Sequence, residues 1–195
     1  SAIERAIPAI LTPQQFNHET ISQLQTVSPD LFIVAAYGKI IPQSVLDLSK
    51  YGSLNIHPSH LPKYRGPSPI QSTLLAGEKE IGLSIIKMDE KMDHGPLIYQ
   101  KDIPLLGNET FAMLHQSLFQ EAADALPNII EAYVTGKSLP KEQDHTEATY
   151  CHMITKESGY IDSENPPDHK TIDRMIRAFY PWPTAWTRVR IMNHE

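Results

Sequence analysis

The chain has 195 residues, 41% hydrophobic and 21% charged, with a formal net charge of −6. That is one domain, or one domain with an appendage, and not the basic surface of a protein whose main work is gripping phosphates. No apolar run approaches the roughly 20 residues of a membrane helix, and one cysteine, Cys151, excludes an internal disulfide and fits a reducing compartment such as the cytoplasm.

The chain opens SAIERAIPAI, without a signal-peptide pattern and on Ser rather than Met, so a processed or trimmed N-terminus is expected. AIPAI reads as a strand. Thr12-Pro13 then reads as an N-cap with Pro at the first helical position, opening a helix with Phe16, Ile21 and Leu24 inward that ends at Ser28-Pro29-Asp30. LFIVAAY, residues 31–37, is a continuous apolar run of the kind found in the buried central strands of parallel sheets. A short helix from Pro42 to Leu48 and a strand from Ser53 to His57 follow, the strand stopped by Pro58.

Ser68-Pro69 starts the next helix and Gly77 closes it. Gly82 to Met88 and Pro96 to Ile103 read as two more strands. Between Asn108 and Gly136, the residues Phe111, Leu114, Leu118, Ala122, Leu126, Ile129 and Tyr133 keep one helical face, with Pro127 predicting a kink or a break. Leu139 to Thr149 is polar and proline-bearing, as in a linker or surface excursion. A last helix spans about Thr171 to Phe179, with Ile172, Met175, Ile176 and Phe179 on one side, and PWPTAW follows. Strands alternating with helices argue for an α/β sheet.

The informative stretch is SLNIHPSHLPKYRG. Residues two apart on a strand share a face, so Asn55 and His57 project together at a strand end, where α/β sheets place ligands. An amide N–H and a protonated imidazole side by side can hold one oxyanion. The same residues also suit a quieter account, in which Asn55 satisfies a turn and His57 caps the strand. Asp93, in MDEKMDHGPLIYQ, could orient His57 and support its charge, or sit in a solvated acidic loop with Asp89 and Glu90. Lys63, Tyr64 and Arg65 form a small basic-aromatic patch suited to an anionic substrate or simply to solvent.

His57, His60, Asp93 and His94 are acceptable metal-ligand types, but HExxH and paired CxxC spacings are absent and no metal is expected. GxSxG, GxGxxG and Walker-type loops are absent too, which argues against a serine elbow and a dinucleotide or NTP cofactor. No candidate activating base lies near Cys151, so a buried or idle thiol is expected.

LNIHPSHLPKYRG together with MDEKMDHGPLIYQ resembles the 10-formyltetrahydrofolate-dependent formyltransferases. VAAYGKIIP, GPSPIQSTLLAGE, TYCHMITKESGYID and IRAFYPWPTAW look like segments of the branch that formylates methionyl initiator tRNA, in its order and over almost the whole chain. The resemblance implies a Rossmann-like α/β formyltransferase core with a mostly parallel central sheet flanked by helices, followed by a linker segment. It implies formyl transfer from 10-formyltetrahydrofolate, by direct amine attack, with Asn55 and His57 holding the oxyanion and Asp93 assisting. By position it places Lys39, Ile41, Leu46, Ser84, Asp89, Glu90 and Met92 at the folate and Lys63 and Arg65 on the acceptor side. Ile86 stands where the glycinamide ribonucleotide enzymes would have a histidine. A cytoplasmic monomer with no membrane contact is expected.

The pattern also departs from that branch. The expected first strand, glycine-bearing loop and helix are missing, as is the C-terminal β-barrel. Residues 1–138 are therefore expected to be a catalytic core lacking its N-terminal part, and 139–195 a connecting segment and helix toward an absent domain. A sugar-nucleotide N-formyltransferase, an inactive folate-binding remnant and a hydrolase of the same folate are the alternatives at this point.

Overall fold

The computed structural model describes residues 16–189. The AIPAI strand and the Thr12-Pro13 helix start lie outside the described residues. The first described helix, α1, is His18–Val27, and its N-cap is Asn17, whose Oδ1 accepts from the Thr20 amide at 2.9 Å. Phe16 thus precedes the helix instead of sitting on its inner face. Ser28, left-handed at φ 48°, ends it.

The described strands are β1 (Phe32–Ala35), β2 (Ser53–His57), β3 (Glu80–Lys87) and β4 (Leu97–Pro104), in the spatial order β1-β2-β3-β4. A helix-flanked α/β sheet is what the sequence predicts. The expected mostly parallel arrangement is not what these strands form: β1 runs parallel to β2, but β2–β3 and β3–β4 are antiparallel. β3 is buried from Ile81 to Ile86 on both faces, and such a run is apolar whichever way its neighbours point. Strand direction is set by the connections, and the short loop 88–96 permits only a hairpin-like return. β1, which its composition suggests as a buried central strand, lies at the edge among the described strands and is half-buried on alternate residues.

One face of the sheet carries Leu54, Ile56, Ile81, Leu83 and Ile85 into the core. Against it pack α3 (Pro69–Ala76), α4 (Phe111–Val134) and α5 (His169–Phe179), through Ile70, Leu74, Leu114, Leu118, Ala122, Ile129, Met175, Ala178 and Phe179. Gly77 closes α3 in a left-handed cap, as the sequence predicts. α4 runs unbroken through Pro127. Pro127 and Ala123 are exposed, so water can satisfy the carbonyl that the ring leaves without a donor. On α5 the inward residues are Met175, Ala178 and Phe179, while Ile176 turns outward with 54% exposure.

The other face is covered by the loop 58–66. Gly82 allows this, because a Cβ there would stand 2.1 Å from the backbone nitrogen of His60. Ser84 on β3 and Gln100 on β4 then tie the loop down: Ser84 Oγ donates to the Ser59 carbonyl at 2.6 Å, and Gln100 Nε2 donates to the Leu61 carbonyl at 2.8 Å.

Residues 139–149, expected as a linker or surface excursion, are fastened to the rest of the fold together with Cys151. Lys141 and Leu97 exchange both backbone hydrogen bonds at 2.8 Å. The Arg65 amide donates to the Thr149 carbonyl, and the Cys151 amide to the Arg65 carbonyl. No helix among the described residues is long and apolar enough to cross a membrane.

Candidate active site

The alternation of β2 turns Leu54 and Ile56 to the helices and leaves Asn55 and His57 on the opposite face, paired across to Ile86 and Ser84. The loop 88–96 folds back over that face. There Asp93 Oδ1 accepts from Asn55 Nδ2 at 3.2 Å and lies 3.5 Å from His57 Nδ1. The other carboxylate oxygen accepts from the Gly66 amide at 2.8 Å. The His57 and Asp93 side chains are only 5% and 12% exposed. The sequence pairing of Asn55, His57 and Asp93 is thus one spatial cluster around a single carboxylate.

The second ring nitrogen is committed elsewhere. His57 Nε2 lies 3.0 Å from the Tyr64 carbonyl, which can only accept, so Nε2 carries a hydrogen. Tyr64 is held in a left-handed conformation (φ 58°), and its phenol donates to Glu78 Oε1 at 2.7 Å. Partial burial first, and then the Glu78 carboxylate, push that phenol up to about 12.

A further layer comes from the 139–151 segment. Gln143, 5% exposed, donates from Nε2 to the carbonyls of Asp93 (3.0 Å) and Gly95 (2.7 Å). Its Oε1 accepts from Arg65 Nη2 at 2.7 Å, and the same nitrogen donates to His145 Nδ1 at 2.9 Å. The His145 ring stacks on His94 at 4.0 Å between centroids, and His94 Nδ1 donates to Asp89 Oδ2 at 2.7 Å. Neither the Tyr64 carbonyl nor Gln143 has a signature in the sequence: one is backbone, and the other sits in a polar stretch.

Three residues expected beside a ligand, Ser84, Arg65 and Leu46, are buried. Ser84 is fully buried, and its hydroxyl donates to Ser59 O while accepting from Leu61 N and Gln100 Nε2, which exhausts it. It ties down the loop 58–66. Arg65, expected in a solvent-facing basic patch, is 1% exposed and faces Gln143, His145 and Tyr150. Lys63, two residues earlier in the same turn-rich loop, is exposed. Leu46 is buried on the short helix α2 (Gln43–Leu46), which lies between β1 and β2 in the chain. Lys39 is exposed and Ile41 half-buried on the stretch that leaves β1 beside the His57 end of β2, where Ala35 pairs with Ile56. Asp89 is half-buried, whereas Glu90 and Met92 are exposed on the acidic loop. Cys151 is buried, its Sγ 3.3 Å from both the Arg65 carbonyl and the Ser68 amide. Among the described residues no group of three or more His, Cys, Asp or Glu is placed to hold a metal ion.

Residues 3–130 match the family model described as formyl transferase. A methionyl-tRNA formyltransferase of Roseiflexus sp. (strain RS-1) is 40% identical over 191 residues, which is 97% of this chain but 58% of that relative. The chain thus spans about three fifths of the length of the curated relatives it matches. Among solved structures, a methionyl-tRNA formyltransferase from Clostridium thermocellum superposes with a TM-score of 0.73 at 21% identity, covering 96% of this chain and 80% of that one. HypX from Aquifex aeolicus, solved in complex with tetrahydrofolic acid, superposes with a TM-score of 0.73 at 24% identity over 87% of this chain and 28% of that one. These structural likenesses concern the fold.

Proposed function

We propose, because the chain belongs to the formyl transferase family, that it carries the catalytic core of an enzyme that moves a formyl group from 10-formyltetrahydrofolate to the amino group of methionyl initiator tRNA. The observation that carries this reading is the convergence of Asn55 and His57 on one buried carboxylate oxygen of Asp93. The name of the 40%-identical relative supports the acceptor.

The residues present suit a folate. Half-buried Ile41 and exposed Met92 offer apolar surface for a flat ring, and Asp89 with Glu90 and Lys39 offers polar partners at its edge. When bound, the folate supplies an activated formyl carbon. Lys63, exposed just beyond the cluster, is the residue left on the acceptor side.

Each catalytic side chain then has a definite task. Asn55 uses one amide hydrogen on Asp93 and has a second for the negative charge that grows on the formyl oxygen. His57 faces the same point with Nδ1, because Nε2 is taken by the Tyr64 carbonyl. At 3.5 Å from Asp93, that Nδ1 is not committed by a hydrogen bond of ordinary length. Asp93 offsets the charge of the imidazolium and passes on the proton the amine loses. The amine's lone pair forms the new C–N bond, the bond from the formyl carbon to folate N10 breaks, and the proton ends on N10.

The test is formyl transfer by the full-length protein, with methionyl initiator tRNA beside an amino-sugar nucleotide as acceptor. Transfer to the tRNA is expected. Transfer only to the sugar nucleotide would replace the acceptor, and folate binding without any transfer would replace the reading with a binding module.

A further inference from the structure

Asp93 stands in the left-handed region, at φ 49°, a conformation costly for a residue with a side chain. Something must hold it there, and the bonds of its carboxylate fix only the side chain. Its carbonyl, and that of Gly95, both point at Gln143 Nε2, at 3.0 and 2.7 Å. The orientation of that amide is not free. Arg65 can only donate, so Gln143 must present Oε1 to it, and two carbonyls can only accept, so Nε2 must face the loop. The Arg65 guanidinium is itself 1% exposed and gripped from His145 and Tyr150 as well.

We propose that Gln143, locked by Arg65, is the positioning residue for Asp93: it clamps the backbone of the acidic loop in the strained conformation that aims the carboxylate at Asn55 and His57. This rests on the formyl-transfer reading above. Gln143 touches no reacting atom and acts only through Asp93, and that gives the inference its measurable signature.

The experiment is a double-mutant cycle in the full-length protein, with kcat and KM for both substrates. Gln143→Glu keeps an oxygen for Arg65 but replaces the clamping N–H group by a charged oxygen that the two carbonyls repel. Gln143→Met removes both contacts at similar length, and serves if the charged variant does not fold. Either variant is expected to lower kcat by about tenfold or more while changing KM by less than about threefold. In an Asp93→Asn background the same change is expected to cost less than about twofold further, since its route of action is already lost. Turnover within about twofold of the parent, or losses that multiply in the double variant, would overturn the inference. The two readings fail separately. If Asp93→Asn turns over normally, the formyl-transfer mechanism falls; if Asp93→Asn is impaired and the Gln143 variants are not, only the clamp falls.

Discussion

The backbone carbonyl of Tyr64 accepts a hydrogen bond from Nε2 of His57 at 3.0 Å. This fixes which imidazole nitrogen can work: Nδ1 is the one turned to Asp93 and Asn55. Substituting His57 by Ala removes it, and Asn55→Ala removes its neighbour. Each change is expected to lower kcat by about 100-fold or more, the usual cost of one donor to a developing oxyanion. Steady-state formyl transfer in the full-length protein checks this, and activity within a few-fold of the parent would remove that residue from the site.

Asp93→Asn tests the third member. Both carboxylate oxygens now accept, one from Asn55 and one from the Gly66 amide. An amide group must turn its NH2 against one of these donors. Turnover is expected to fall on the order of 100-fold, with folate affinity largely kept, because the loss is of charge and aim more than of the pocket wall. Folate titration beside turnover separates the two quantities.

Gly66 links the two halves of the site. Its φ is +117°, and a Cβ there would stand 2.5 Å from the Cys151 carbonyl oxygen. Gly66→Ala is expected to destabilise the fold by about 1–3 kcal/mol through backbone strain. It should also displace the amide that Asp93 accepts from. Thermal denaturation reads the first effect and kcat the second. A variant with unchanged melting temperature and unchanged kcat would contradict this account.

Tyr64 gives a pH signature. Its phenol is pushed up to about 12 by burial and by the Glu78 carboxylate. The unfolded phenol ionises near 10, so between these values the folded state holds a proton that the unfolded state has lost. The contribution of this group to stability is therefore fully present below about pH 10 and is lost as pH rises toward about 12. Denaturant midpoints across that range should fall more steeply for the parent than for Tyr64→Phe. Parallel curves would show that the phenol–Glu78 contact does not contribute.

Much of this arrangement could be read from residue order. The strand alternation that aims Asn55 and His57 together is a local rule, and so are the Pro69 start and Gly77 stop of α3. Asp93 could be chosen over a solvated acidic loop only through the family resemblance, since nothing in its own neighbourhood says that the loop folds back over β2. Strand direction escaped because burial on both faces makes β3 apolar without saying which way β4 runs. The burial of Ser84 and Arg65 was hidden for a common reason: their polar groups look available in a sequence, yet long-range partners engage them, Gln100 and the 58–66 loop for one and residues 143–150 for the other. The polarity of 139–149 signals a loop correctly, but that polarity serves buried partners as well as water.

Gln143, His145 and Tyr150 are the partners of the Arg65 guanidinium, and all three follow Gly136, the turn at which the sequence invites a cut. A gene truncated there would leave a buried cation stripped of those neighbours, beside an acidic loop without its clamp. The smallest portable unit of this core therefore extends past Cys151, whose amide pairs with Arg65, and through α5, whose Met175, Ala178 and Phe179 are buried in the same core. Chimaeras meant to exchange one acceptor for another should place their joint beyond that helix, so that the graft brings a new partner surface without dismantling the centre it is meant to serve.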